Sequence, residues 1–443
     1  MQIAALYPMG RQTIAFGDTD HDGSYEAAFR WRDSNWEWHY AILEEQGGNV
    51  YTQEYAGADL LPYGIADMDG DGQADLVGQY GSYVQVYESI DATSYPTELV
   101  WISPALSNIE GFTKIGDTDR DGRREIIHSA NSGRLYIFEN SGNNSYTQVF
   151  TTVTGFQDDG EKAIADFDGD GLLEIAFCGS DGWLHVYESP TDNTWVETFS
   201  DSTGLLNAYG TEGGVDADGN GIPELFIAGD KFPGYQKTTL VYEAGNDNQF
   251  ARVATLLTSD SGAGGANNAL GELDGTGQFE YVTQGYNRLW FYRATAPGQW
   301  AVSSQLQDPT GPLLYIGVQI FDVNGNGKGE LFWDSFVYPI LVFEHPPRTS
   351  DTGPVDSARM APLRLVPNPC RGRATIVVPS STLGAEWLSV YDVAGRLVQR
   401  LRLPGGQASH LWDADRLGAG VYYIQFEDRR GAPLARGLGT IVR

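Results

Sequence analysis

The stretch that decides the fold is Ala163-Ile-Ala-Asp-Phe-Asp-Gly-Asp-Gly-Leu-Leu-Glu-Ile-Ala-Phe-Cys178. At its centre lies a nine-residue pattern, Asp-x-Asp-x-Asp-Gly-x-x-Glu/Asp, set between two short apolar runs. The pattern begins at Asp166 and also at Asp18, Asp67, Asp117 and Asp216, with divergent versions at Glu272 and Asp322. Successive starts are 49, 50, 49, 50, 56 and 50 residues apart, which defines an internal repeat.

The flanks repeat as well. An apolar segment precedes each loop, as in Thr13-Ile-Ala-Phe and Tyr63-Gly-Ile-Ala, and another follows it, as in Glu125-Ile-Ile-His and Glu224-Leu-Phe-Ile-Ala. A third segment alternates, as in Tyr83-Val-Gln-Val-Tyr-Glu, Arg134-Leu-Tyr-Ile-Phe-Glu and Trp183-Leu-His-Val-Tyr-Glu. A fourth, more polar one closes the unit, as in Tyr51-Thr-Gln-Glu-Tyr and Thr147-Gln-Val-Phe. Four short strands per repeat without helical periodicity describe a propeller blade. After the seventh loop only Leu331-Phe-Trp-Asp-Ser-Phe and Ile340-Leu-Val-Phe-Glu remain, whereas the chain begins with a spare strand, Gln2-Ile-Ala-Ala-Leu-Tyr. The expected fold is therefore all-β: a seven-bladed β-propeller closed by its N-terminal strand, without the open edges of a solenoid. It spans 1–345 and is followed by a linker at 346–362 and a small Ig-like β-sandwich at 363–443.

The loop chemistry points to Ca²⁺, a hard cation that takes six to eight oxygens at roughly 2.3–2.6 Å. Alternating acids in a tight loop turn carboxylates inward, the glycine permits the sharp bend, and the ninth residue closes the shell. The expected ligands are Asp18, Asp20, Asp22 and Glu26, with the Ser24 carbonyl, in the first loop. Loops two to four offer Asp67, Asp69, Asp71 and Asp75; Asp117, Asp119, Asp121 and Glu125; and Asp166, Asp168, Asp170 and Glu174. The fifth offers Asp216, Asp218, Asn220 and Glu224, and the seventh Asp322, Asn324, Asn326 and Glu330, with fewer charges and weaker expected affinity. The sixth reads Glu272, Asp274, Thr276 and Glu280. Its longer first side chain and its hydroxyl leave about six calcium sites in all. An EF-hand is excluded, because its closing acid stands at position twelve and helices flank it; Mg²⁺ fits less well, since it demands a strict octahedron.

These loops on strand-bounded blades resemble the FG-GAP/VCBS repeat family, the propeller type of integrin α-subunits, over residues 1–345. The resemblance implies that each loop joins the innermost strand of a blade to the next strand on one rim, that the ions are mainly structural, and that ligands bind the opposite face.

From His345-Pro-Pro-Arg-Thr-Ser-Asp-Thr-Gly-Pro onward the text changes to an extended linker and then alternating strands. Val366-Pro-Asn-Pro, Tyr391-Asp-Val-Ala-Gly-Arg-Leu-Val and Ala419-Gly-Val-Tyr resemble the type IX secretion C-terminal sorting domain. That resemblance implies export across the outer membrane to the medium or cell surface, followed by removal of the tail. The Met1-Gln-Ile-Ala-Ala-Leu-Tyr start shows no basic n-region or apolar h-region, so the natural chain is expected to begin upstream of Met1 with an export signal.

The charge is uneven. Residues 349–443 hold 12 Arg, no Lys and 8 acids, a net of +4, so residues 1–348 carry −35 of the chain's −31. Such acidity repels phosphate backbones and anionic lipid, and no apolar run approaches the ~20 residues of a membrane span. Nucleic acid and membrane insertion are excluded as partners, and a monomer is expected. Cys178 and Cys370 fall in different expected domains and form no disulfide framework.

The leading functional expectation is an adhesion or ligand-binding module. It would hold a glycan or surface protein on the face opposite the calcium loops, through Trp36, Tyr80, Phe232, Tyr235 and Tyr286, with Tyr63 and Tyr209 between blades. The alternatives are a secreted polysaccharide lyase or glycosidase and a passive surface scaffold. Hydrolysis needs two carboxylates facing a pocket, and Asp33, Asp158, Asp159, Glu161 and Asp308 show no pairing by sequence. The six histidines have no metal-ligand spacing. No catalytic residues are assigned, and the chain is read as a non-enzyme.

Overall fold

The computed structural model describes residues 2–6, 10–33, 35, 37–46, 50–106, 112–130, 133–154, 159–261, 267–285, 288–307, 315–335 and 340–344. In the C-terminal part it describes 361–362, 364–366, 373–377, 387–391, 397–403, 409–414, 417, 420–427 and 433–441.

Among these residues there is no helix, and the chain up to residue 344 forms seven four-stranded sheets. Six are built from consecutive strands within 10–57, 61–102, 113–153, 159–202, 205–261 and 268–307. They are numbered here as blades one to six. Blade four runs Asp159–Ala165, Glu174–Gly179, Trp183–Thr191, Thr194–Ser202, each strand antiparallel to the last. In blade seven the order is Tyr315–Phe321, Glu330–Ser335, Ile340–Glu344 and then Gln2–Leu6, so the N-terminal strand supplies the outermost position. The first strand of every blade contacts the first strand of the next, and that of blade seven contacts that of blade one. The ring is closed with the first strands innermost.

The hydrophobic cores lie between blades. One joins Ile127, Leu135 and Ile137 of blade three to Ile175, Phe177, Tyr187 and Trp195 of blade four. The next joins Ala176, Cys178, Leu184 and Val186 to Leu225, Ile227, Leu240 and Tyr242 of blade five. A sheet packed on both faces has no solvent side, so second strands such as Glu174–Gly179 are buried throughout. The same packing corrects the expectation for third strands: the middle of Trp183–Thr191 is buried at six consecutive residues and does not alternate. The 56-residue interval also has a local cause. The outer strands of blade five, Gln236–Asn246 and Gln249–Ser261, have 11 and 13 residues, against 9 each in blade four.

The chain divides into two compact units, the second holding Arg348–Arg443 together with Gln2–Ala5 and Gln305–Leu313, although by hydrogen bonding the strand Gln2–Leu6 belongs to the sheet of blade seven. The region from Arg348 onward forms a five-stranded and a three-stranded sheet. Ile376 and Trp412 of the smaller sheet share one core with Leu388, Val390, Tyr422 and Ile424 of the larger.

Candidate metal centres

Every acidic loop connects the first strand of a blade to its second, so all seven lie on one rim. The chain bends sharply there, with Gly171 at φ 98° and its equivalents Gly72, Gly122 and Gly221 at 89°, 92° and 90°. Such values favour glycine and explain the sixth position of the pattern.

The side chains hold the loop by a repeated set of hydrogen bonds. In blade four the Gly171 amide donates to Asp166 Oδ2 at 3.1 Å, the Asp170 amide to Asp168 Oδ1 at 3.1 Å and the Leu172 amide to Asp170 Oδ1 at 2.7 Å. The Phe167 amide donates to Glu174 Oε2 at 2.6 Å. Equivalent bonds to the closing acid come from Thr19, Met68, Thr118, Ala217 and Val323. Each closing acid thus fixes the loop with one oxygen. Its other oxygen, on Glu26, Asp75, Glu125, Glu174 and Glu224, is buried with no hydrogen-bond partner, as are Oδ1 of Asp18 and Asp117.

These oxygens converge. Ligand atoms of Asp117, Asp119, Asp121 and Glu125 lie within 4.8 Å of one another, as do those of Asp18, Asp20 and Glu26 and those of Asp67, Asp69 and Asp75. Burial, reinforced by the neighbouring aspartates, pushes the closing acids up, Glu26 and Glu330 to about 7 and Asp75, Glu125, Glu174 and Glu224 to about 8. Buried, orphaned and mutually repelling carboxylate oxygens are what a hard divalent cation would compensate, and the donor set is all oxygen. The residues present fit such an ion.

Sequence reasoning missed three features of this rim. First, the closing acid faces a glutamate across the sheet in blades one to five: Glu26 pairs with Glu44, Asp75 with Glu88, Glu125 with Glu139, Glu174 with Glu188 and Glu224 with Glu243. In blade seven Leu331 pairs with Phe343, which sets Glu344 beside Glu330. The signal was the recurrent Tyr-Glu or Phe-Glu ending of the third strand. Second, the outer hairpin of the next blade reaches back to the loop. Backbone amides of Asn144, Asn193, Asn248 and Gly298 donate to Oδ2 of Asp69, Asp119, Asp168 and Asp218 at 2.6, 2.8, 2.6 and 2.6 Å. Third, the sixth loop contains a cation of its own. Arg293 Nη2 donates to Asp274 Oδ2 at 2.6 Å and also to Glu280 Oε1.

The opposite face is only partly as expected. Tyr80 and Phe232 are 50% and 67% exposed, and Tyr235 is exposed beside Phe232, edge to face. Beneath that pair the buried Lys237–Asp230 ion pair, 2.6 Å apart, pins the two strands that carry it. Tyr63 and Tyr209 are half-buried, while Trp36 and Tyr286 lie outside the described residues. Exposed Tyr83 and Trp183, on the same strand links, were not anticipated.

Two of the supposedly unpaired acids do have company. Asp33 gathers with Glu37 and His39. Glu161, Glu212 and Lys114 lie near one another on the inner strands of three successive blades; burial raises both carboxyls, that of Glu161 further through Glu212, and Lys114 works against both shifts. Asp158 and Asp308, and the side chain of Asp159, fall outside the described residues.

Comparison with known proteins now bears on this geometry. Residues 117–176 match the FG-GAP-like repeat. That span is the loop of blade three through the loop of blade four. Residues 364–434 match the secretion system C-terminal sorting domain, which marks the chain as secreted or outer-surface cargo. No curated protein matches. Solved structures similar to the chain include BBS1N in complex with ARL6DN, soaked with lead, at 12% identity and a TM-score of 0.51 over 79% of this chain and 95% of that one. The mercury-soaked form of the same complex gives 12% identity and a TM-score of 0.49 over 79% and 94%. The first likeness shows a shared fold.

Proposed function

We propose that the chain is a calcium-binding propeller delivered to the cell surface by the type IX route and serving there as an adhesion or ligand-binding module. The observation that carries this reading is the rim of acidic loops. Asp18, Asp20, Asp22, Glu26 and their counterparts in blades two to five and seven would each hold one Ca²⁺, about six in all. The ions would offset about 12 of the 35 excess negative charges. They stiffen the loops that join inner to second strands, which leaves the other face to recognition.

On that face Tyr80, Tyr83, Trp183, Phe232 and Tyr235 offer exposed rings on strand links. Rings of this kind stack on sugars or pack a protein partner. A glycan array and a surface pull-down with the calcium-loaded chain test the assignment. Binding that is lost in Phe232→Ala or Trp183→Ala supports it, and absence of any binder reduces the molecule to a passive scaffold.

One observation favours a second reading. Glu161, Glu212 and Lys114 form a group of charged side chains on the inner strands, where raised carboxyl pKa values suit general acid catalysis. Turnover of a polysaccharide that disappears in Glu161→Gln with the rim loops intact would establish an enzyme.

A further inference from the structure

The seven blades form an internal comparison set, and one register position divides them. It is the third-strand residue opposite the closing acid. Six blades carry a glutamate there; blade six carries Arg293, after Tyr292 where blade four has Glu188 after Tyr187.

The glutamates belong to the rim. Glu243 Oε1 accepts from the Asn220 amide nitrogen at 3.1 Å, and Glu344 Oε1 from that of Asn326 at 2.8 Å, so each reaches the fifth position of its loop. Ligand atoms of Glu139, Asp119 and Asp121 lie within 4.8 Å of one another, with Asp192 of the next blade among them. Glu88 and Glu139 are 9% and 4% exposed, and each keeps one buried oxygen without a hydrogen-bond partner. The other partners of these glutamates are mostly neutral: Tyr95 Oη donates to Glu44 at 3.0 Å and Asn248 Nδ2 to Glu188 at 2.9 Å, while in blade three Arg123 Nη1 lies 3.3 Å from Glu139 Oε1 and sets a cation beside it.

Arg293 shows what that place accommodates. A single guanidinium nitrogen bridges the carboxylates of Asp274 and Glu280, the third and ninth loop positions. The same two positions converge in loops one to three. Asp274 and Glu280 are 6% and 4% exposed. Charge-assisted hydrogen bonds from that one nitrogen reach both carboxylates without an added ion. A divalent cation on those oxygens would sit against a permanent positive charge.

We infer that Arg293 is a tethered replacement for the divalent cation in blade six, and that Glu44, Glu88, Glu139, Glu188, Glu243 and Glu344 are acidic elements of the other six sites. The charge at this one position decides whether a blade takes a metal. This rests on the calcium reading above and extends it to a residue that sets occupancy.

Radioactive-calcium equilibrium dialysis of the full chain, with thermal melts in calcium and in chelator, tests the inference. Relative to the parent chain, Arg293→Glu binds one more ion, and its melting temperature becomes more sensitive to chelator. Glu188→Arg, which copies blade six into blade four, binds one fewer and becomes less sensitive. If Arg293→Glu does not fold, the Glu188→Arg count decides. A parent chain that binds calcium while folded variants keep its count overturns this inference alone. A parent chain that binds none overturns the calcium reading and this with it.

Discussion

Glu174 uses one carboxylate oxygen to accept the Phe167 amide and leaves the other buried and unpartnered. Asp168 works in two directions, since Oδ1 accepts from its own loop and Oδ2 from Asn248 of the next blade. Removing Asp168 therefore costs a proposed ligand, a loop hydrogen bond and a contact between blades, whereas removing exposed Asp170 costs a proposed ligand and a loop hydrogen bond only. Asp168→Ala should lower the melting temperature in calcium by several degrees and by more than Asp170→Ala, since a charged hydrogen bond is worth about 1.5–3 kcal/mol. Equal shifts in differential scanning calorimetry would remove the contact between blades from the account. The raised closing acids give a pH test. Folded values of about 7 to 8 against ordinary carboxyl values near 4 mean that the metal-free fold binds more protons than the unfolded chain. Their contribution is fully present below about pH 4 and is lost as pH rises through 7 to 8. In chelator the melting temperature should fall over that window, and in saturating calcium the fall should disappear, because the ion holds the acids deprotonated. A chelator profile that rises with pH across the window would contradict these shifts.

At the scale of elements, the seven-fold spacing and the spare strand Gln2–Leu6 made the blade order and its closure legible, because both follow from counting strands against loops. The sixth loop was suspect from Glu272 and Thr276, yet its actual occupant, Arg293, stands 13 residues beyond the closing Glu280 and acts through strand register. Register is a long-range property that a local pattern does not carry. The same holds for Glu88, Glu139 and Glu188, visible in every third-strand motif but meaningless until the sheet set them against the closing acids. Asn144, Asn193 and Asn248 were further from reach, since they serve a neighbouring blade from left-handed turns with φ of 54°, 57° and 55°. Blade seven supplies the test at this scale. Deleting residues 2–6 leaves Ile340–Glu344 as an open edge in a ring that relies on closure. The shortened chain should melt lower and self-associate in size-exclusion chromatography; an unchanged melting temperature and elution volume would show that the N-terminal strand is dispensable.

Over the whole molecule, acidity concentrated in the propeller, a rim of converging carboxylates and a C-terminal sorting match describe a secreted ring, and the proposed calcium sites would link its folding to its metal content. The far face was the least legible part. Aromatic residues there read alike in sequence whether they are half-buried, as Tyr63 and Tyr209 are, or exposed like Phe232. Only packing separates the two. The rim is where the account is most exposed to test. An ion that binds the folded ring alone, held at 100-fold over its dissociation constant, stabilises it by about 2.7 kcal/mol per site. Thermal unfolding of the intact chain at pH 7.5, in excess calcium and in excess chelator, is the direct measurement. A melting temperature lower by many degrees in chelator is the predicted result, and superimposable curves would contradict the central claim.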